Sequence, residues 1–147
     1  MRSEADLQEA YRRLAARARQ LRVELEGLYV QRMAEGGLEL LVSAFRDPQF
    51  GVMVSCGAGG TLTEVVDDVV LARAPVDEAQ ARRMLEGLRI VRHVATLAPE
   101  APAAFVAAFS QLAASAPWQR FVLEVNPIKW GRDGVIAVDG LLVVEQP

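Results

Sequence analysis

The twenty residues FVLEVNPIKWGRDGVIAVDG, 121 to 140, decide how this chain is read. They have the make-up of a buried hairpin: two apolar runs about a turn signal at Gly131-Arg132-Asp133-Gly134. Three oxygen-bearing side chains, Glu124, Asn126 and Asp139, interrupt the apolar runs. Strand residues two apart share a face, so Glu124 and Asn126 point the same way. A turn centred on Arg132 and Asp133 sets Asn126 opposite Asp139; one centred on Asp133 and Gly134 pairs Asp139 with Ile128 instead. Either register keeps Asp139 on the face of Glu124 and Asn126. Only an odd slip would move it, and that slip would also turn the apolar partners out of the core. Three oxygen donors with no His or Cys beside them suit a hard cation, Mg²⁺ or Mn²⁺. Mg²⁺ commonly joins one or two carboxylates to substrate phosphates, so the chemistry implied is a nucleotide phosphate held by metal. The same three residues also read as exposed polar positions on a half-buried hairpin, and spacing alone leaves both readings open.

Upstream of the hairpin the pattern is strands first, then helices. Strand-like runs occur at LYVQRM (28–33), LELLVSAF (38–45), FGVMVSC (50–56) and LTEVVDDVVL (62–71), separated by EGG, RDPQ and GAGG. Strands in such quick succession predict an antiparallel sheet. Two helices follow. One spans about 78–93, with Asp77 as N-cap, Gln80 three residues on, and an apolar face of Met84, Leu85, Leu88 and Val91. The other starts near Pro102, carries Phe105, Phe109 and Leu112 on its apolar side, and ends near Pro117. At the other end of the chain, Leu7, Tyr11, Leu14, Ala18, Leu21 and Leu25 recur at spacings of four and three, which predicts a helix over 4–25 stopped by Gly27. The fold class expected is α+β, a mainly antiparallel sheet with packed helices. The organisation expected is an N-terminal helix over 1–26 and one globular unit over 27–147.

A chain of 147 residues can bury a real core. Its net charge of −3 gives no general attraction to nucleic acid or anionic membrane. Arg12, Arg13, Arg17 and Arg19 lie mostly off the first helix's apolar stripe and read as a solvated face. No aromatics are interleaved with them, which argues against a nucleic-acid surface. The single cysteine, Cys56, excludes an internal disulfide framework and fits a reducing, cytoplasmic setting. No stretch approaches the roughly 20 apolar residues of a membrane span.

LEVNPIKWGRDGVIAVDG resembles the metal-binding hairpin of the ATP-grasp superfamily. More narrowly, the chain resembles the ATP-grasp domain of ADP-forming acyl-CoA synthetases, relatives of the succinyl-CoA synthetase β subunit. GLYVQRMAEGGLELLVSAFRDPQFG is similar to a block of that family, GAGGTLTEVVDD to its glycine loop followed by Glu, and APVDEAQARRMLEGLR to its Pro-started helix. The fold implied is the C-terminal lobe of an ATP-grasp domain. The resemblance implies Glu124, Asn126 and Asp139 as ligands of Mg²⁺ or Mn²⁺. It sets Gly59 and Gly60 in a loop lining an ATP or ADP site, Glu39 facing the nucleotide, and Glu64 near the chemistry. The activity implied is an ATP-dependent acid–CoA ligase. There ATP phosphorylates a histidine, the phosphoryl group passes to an acyl group, and CoA displaces it. The partners implied are a first ATP-grasp lobe and CoA-binding and ligase domains, none of which these residues resemble; self-association is a further expectation. A second reading is non-catalytic: a truncated ATP-grasp-like subunit acting as a structural or regulatory partner. The chain departs from the family at Val52-Met53-Val54, at IVRHVATLAPEAP and at Gly140-Leu141-Leu142.

Other residues read more plainly. Asp47 suits a cap on its own turn, while Arg46 suits either a phosphate or a nearby acid. His93 sits in VRHVATL, which does not resemble the family's phosphohistidine segment. Cys56 reads as a small buried residue, and Trp118 and Trp130 as core or lobe-interface residues.

Overall fold

The computed structural model describes residues 3–60, 67–92 and 98–145. It divides into two compact units, Met1–Met33 and Ala34–Pro147. In the first, helix α1 spans Glu4–Gln20. Ser3 caps it, its hydroxyl accepting the Asp6 N–H at 3.1 Å, and acidic residues begin and arginines end it, as the helix dipole favours. The helix stops a turn and a half before the sequence suggests. Arg22 takes a left-handed φ of 54°, the Val23 N–H reaches back to the Ala18 carbonyl at 2.9 Å, and the Arg22 N–H to that of Arg19 at 3.1 Å. That is a Schellman closure with an arginine where glycine is usual, so Gly27 is not the stop. Residues 28–33 form no strand. A strand needs a neighbour to take its backbone hydrogen bonds, and none of the described strands pairs with these residues.

The second unit is one six-stranded antiparallel sheet: β1 (Leu38–Asp47), β2 (Gly51–Ala58), β3 (Val69–Arg73), β4 (Phe121–Gly131), β5 (Gly134–Ala137) and β6 (Gly140–Val144). The order is β3-β2-β1-β4-β5, with β6 alongside β4 beyond β5. Helices α2 (Glu78–Gly87), α3 (Arg89–Arg92) and α4 (Glu100–Ala114) complete it. Period-two alternation decides which side chains meet the helices. Leu40, Val42 and Ala44 of β1 and Val52, Val54 and Cys56 of β2 are buried, packed with Met84, Leu85, Val106 and Phe109. The α+β class is therefore the architecture found.

Two local devices set the helices. Asp77 and Gln80 form the expected capping box, with the Gln80 N–H on Asp77 Oδ1 at 2.7 Å and the Asp77 N–H on Gln80 Oε1 at 3.0 Å. The single helix expected over 78–93 is broken at Leu88, whose ψ of 132° is extended and whose side chain is fully buried. Asp68 restarts it. One carboxylate oxygen accepts the Arg89 N–H at 3.0 Å and the other the Ile90 N–H at 2.8 Å. Burial works to raise the Asp68 pKa, but the Arg89 and Ile90 N–H bonds and the Arg89 guanidinium outweigh it and hold the carboxyl below its ordinary value.

β4 does not keep strict alternation. Val125 pairs with Val42 and Ile128 with Leu40, so three steps on β4 answer two on β1. The extra residue falls at Asn126-Pro127, whose peptide bond is cis. Before this bulge Phe121, Leu123 and Val125 face the core; after it Ile128 and Trp130 do, both essentially fully buried. Glu124 and Lys129 therefore face away from the helices, although they are five residues apart.

Candidate functional site

The hairpin turns about Arg132 and Asp133, since Gly131 pairs with Gly134. Of the two registers open in the sequence, this one sets Asn126 opposite Asp139, and the Asn126 N–H donates to the Asp139 carbonyl at 3.1 Å. Two pairs are missing from the ladder here, Pro127 with Val138 and Asn126 with Asp139: β5 ends at Ala137 and β6 begins at Gly140. Asp139 sits in that gap, its Oδ1 accepting the Gly140 N–H at 2.8 Å. Glu124 lies two residues along β4, between Ser43 of β1 and Leu141 of β6.

The glycine corner closes on this hairpin. The last β1–β2 pair is Leu40 with Ala58, so Glu39 and Gly59 lie just past the end of that ladder. The Gly59 N–H donates to the Glu39 carbonyl at 2.8 Å. A Cβ on Gly59 would stand 2.6 Å from the Leu40 carbonyl oxygen and 2.8 Å from the Leu41 nitrogen. Gly60 turns with φ +66°, and a Cβ there would overlap the Glu39 carboxylate, which rests against its Cα. The Gly60 N–H donates to Asn126 Oδ1 at 3.1 Å. Because a donor can meet only the oxygen end of an amide, this bond fixes which way Asn126 points. An amide oxygen has two lone pairs, and this bond occupies one of them.

Glu39, Gly59, Gly60 and Asn126 are thus joined by direct contacts, and Asp139 joins through the backbone opposite Asn126. Glu64, like His93, lies outside the described residues. Among the described residues, no three His, Cys, Asp or Glu side chains gather in a group able to hold a metal ion. The donors here are two carboxylates and an amide oxygen, hard ligands of the kind Mg²⁺ accepts alongside water and phosphate, so the chemistry of the set fits such an ion.

The sequence reading missed one member. Lys129 Nζ stands 3.2 Å from Glu39 Oε1 and 3.0 Å from the Ala34 carbonyl oxygen. Lys129 is the only lysine in a chain with 16 Lys and Arg residues, and that singularity was the available signal. Among the described residues Arg46 pairs with no acid. Its Nε and a terminal nitrogen donate to the carbonyls of Trp118 at 2.9 Å and Ala116 at 3.0 Å, tying the exit of α4 to β1. Asp47 caps its turn as expected, accepting the Gln49 and Phe50 N–H groups at 2.8 Å each. A groove of about 840 Å³ lined by Arg46, Asp47, Arg120 and Glu145 among others lies at that end. It is separated from Glu39 by the length of β1, roughly 23 Å at strand rise.

An antiparallel sheet covered by helices on one face, with an acid–amide–glycine corner at one strand end, defines the class of an α+β lobe. The sequence model described as the ATP-grasp domain matches residues 1–144, and the chain belongs to that family. An acetate–CoA ligase (ADP-forming) of Archaeoglobus fulgidus is 33% identical over 96% of this chain and 22% of its own length. The β subunit of such a ligase from Pyrococcus furiosus is 29% identical over 98% of this chain and 65% of its own. This chain therefore spans about a fifth of one relative and just under two-thirds of the other. Among solved structures, an acetyl-coenzyme A synthetase of Ca. Korarchaeum cryptofilum superposes with a TM-score of 0.87 at 26% identity, over 99% of this chain and 68% of that one. Another structure of the synthetase, described as holding coenzyme A and Mg-AMPPCP, superposes at 0.84 with 25% identity, over 99% of this chain and 66% of that one. No described helix is long and apolar enough to cross a membrane.

Proposed function

We propose that this chain supplies the metal-binding side of an ATP or ADP site in an ADP-forming acid–CoA ligase. Glu124, Asn126 and Asp139 would hold Mg²⁺ or Mn²⁺, and Gly59 and Gly60 would line the phosphates. Bound there, the metal would neutralise charge on the phosphoryl group being passed. The work of the chain's own residues is orientation. The observation that supports this reading is the Gly60 N–H on Asn126 Oδ1 at 3.1 Å, which fixes the direction of the amide oxygen, while the Asn126 N–H on the Asp139 carbonyl at 3.1 Å sets the two residues opposite each other across the hairpin. Glu64 keeps its proposed place near the chemistry on its position after the glycine loop. Glu39 is better read as a support for Gly60 than as a nucleotide contact, since its carboxylate is engaged by Lys129 and the glycine. The lengths of the relatives support partner domains or subunits that complete the site and bring CoA and the acyl group. A cytoplasmic setting remains part of the proposal.

The test is a calorimetric titration of ATP or ADP with Mg²⁺ into this chain and into Asp139→Ala. The expected result is binding that needs the metal and falls at least tenfold in the variant. Metal-independent binding of equal strength in both proteins would overturn the assignment of the hairpin.

A further inference from the structure

We infer that Lys129 is a positioning residue for the candidate metal site, acting through Glu39 and Gly60 on the Asn126 amide. The inference rests on the reading of Asn126 as a ligand and goes beyond it, since it assigns a role to a residue with none. The geometry is a short chain of contacts. Lys129 Nζ holds Glu39 Oε1 at 3.2 Å. The other Glu39 oxygen lies against the Gly60 Cα, where a side-chain carbon would overlap it. The Gly60 N–H holds Asn126 Oδ1 at 3.1 Å. Lys129 also donates to the Ala34 carbonyl at 3.0 Å, so it fixes the segment leading into β1 as well as the acid on β1.

Position and chemistry favour lysine here. The Lys129 side chain is 21% exposed and that of Glu39 35%, so the pair is screened less than a surface pair. Ile128 and Trp130, its sequence neighbours, are buried on the opposite face and anchor the strand from which it rises. A lysine reaches as a compact charge with three donors, enough for an acid and a carbonyl together. Without it Glu39 would gain freedom to leave Gly60. The φ +66° turn would then lose the carboxylate packed against it, and the Asn126 amide its fixed donor. Residues that orient metal ligands in this way commonly carry about 10–100-fold in metal affinity.

The experiment uses the full chain labelled with ¹⁵N, with ¹³C at lysine Cε. One lysine gives one Cε signal that needs no assignment. Wild type, Lys129→Met, Lys129→Arg and Glu39→Gln are compared by Gly60 amide exchange and by Mg²⁺ titration. In Lys129→Met, Gly60 exchange is expected to quicken and Mg²⁺ affinity to fall, each by about tenfold. Lys129→Arg, which can still serve both acceptors, should recover most of both. Glu39→Gln should shift the Cε signal and reproduce the methionine variant. If Gly60 exchanges as in wild type when Lys129 or the Glu39 charge is removed, the chain of contacts is overturned whether or not metal binds. Faster exchange with unchanged Mg²⁺ affinity overturns the link to the metal. A wild type that binds no Mg²⁺ overturns the metal reading of the hairpin, and the Gly60 measurement then still decides whether Lys129 holds the corner.

Discussion

The two glycines at the corner should fail for different reasons, and in a definite order. A methyl group on Gly59 would meet the Leu40 carbonyl oxygen at 2.6 Å and the Leu41 nitrogen at 2.8 Å. Those atoms belong to the backbone of β1, which is paired with β2 on one side and β4 on the other, and Leu40 is fully buried. Nothing there can yield cheaply. Overpacking of this kind costs about 1–3 kcal/mol, and the rigid neighbour puts Gly59→Ala at the upper end. At Gly60 the obstacle is the end of a flexible side chain, Glu39, which can give way at the small cost of loosening its partly exposed pairing with Lys129. What remains is the left-handed backbone, with φ +66°, costing about 1–2 kcal/mol. With a urea slope of about 1.5 kcal/mol/M, the unfolding midpoint should fall by about 1.5–2 M for Gly59→Ala and about 0.7–1.3 M for Gly60→Ala. The assay is urea unfolding followed by tryptophan fluorescence, since Trp130 lies in the core. Gly59→Ala within about 0.2 M of wild type, or Gly60→Ala the more damaging of the two, would refute the argument from backbone contact.

Two further outcomes follow from burial. Asp68→Asn should cost about 1–2 kcal/mol at pH 7, because it loses the carboxylate that accepts the Arg89 and Ile90 N–H groups. The Asp68 carboxyl is depressed in the folded protein, so its stabilisation is complete above the unfolded value near 3.9 and is lost as pH falls through the lower folded value. Urea midpoints from pH 7 to 2 should show that loss in wild type and not in the variant; parallel curves would refute it. Burial pushes the Cys56 thiol up to about 12, so a disulfide-exchange reagent at pH 8 should label it only after unfolding. Rapid labelling of the native chain would show that the β2 side of the core opens.

Much of the sheet is legible in the sequence because alternation is a local signal. LELLVSAF and FGVMVSC show it, and β1 and β2 fall within two residues of where it puts them. The hairpin turn and the Asp77 capping box are equally local. What could not be read is set by distant partners. LYVQRM has strand composition but no partner strand among those described. Arg46 finds carbonyls some seventy residues away, which no local pattern announces. The break at Leu88 depends on Asp68 arriving from twenty residues upstream. The bulge at Asn126-Pro127 shifts the phase of β4, so strict alternation predicts the wrong face for everything after it. The pairing of Asn126 with Asp139 survives because both strands of that hairpin keep one register on either side of the gap.

The same bulge explains how a polar corner can be rigid at the end of a sheet. Without the extra residue, Lys129 would point towards the helices while Ile128 and Trp130 faced outward. With it, Ile128 and Trp130 enter the core, and Lys129, between them, is aimed at Glu39 on the neighbouring strand. Glu39 in turn precedes the fully buried Leu40. Lys129 and Glu39 are thus each adjacent in the chain to a core residue facing the opposite way. The Trp130 indole N–H also donates to the Ala98 carbonyl at 3.2 Å, fixing the anchor itself. The precision of the site is therefore inherited from apolar packing behind it. A substitution that loosens Ile128 or Trp130 acts on Asn126 through the backbone of β4 without touching any ligand.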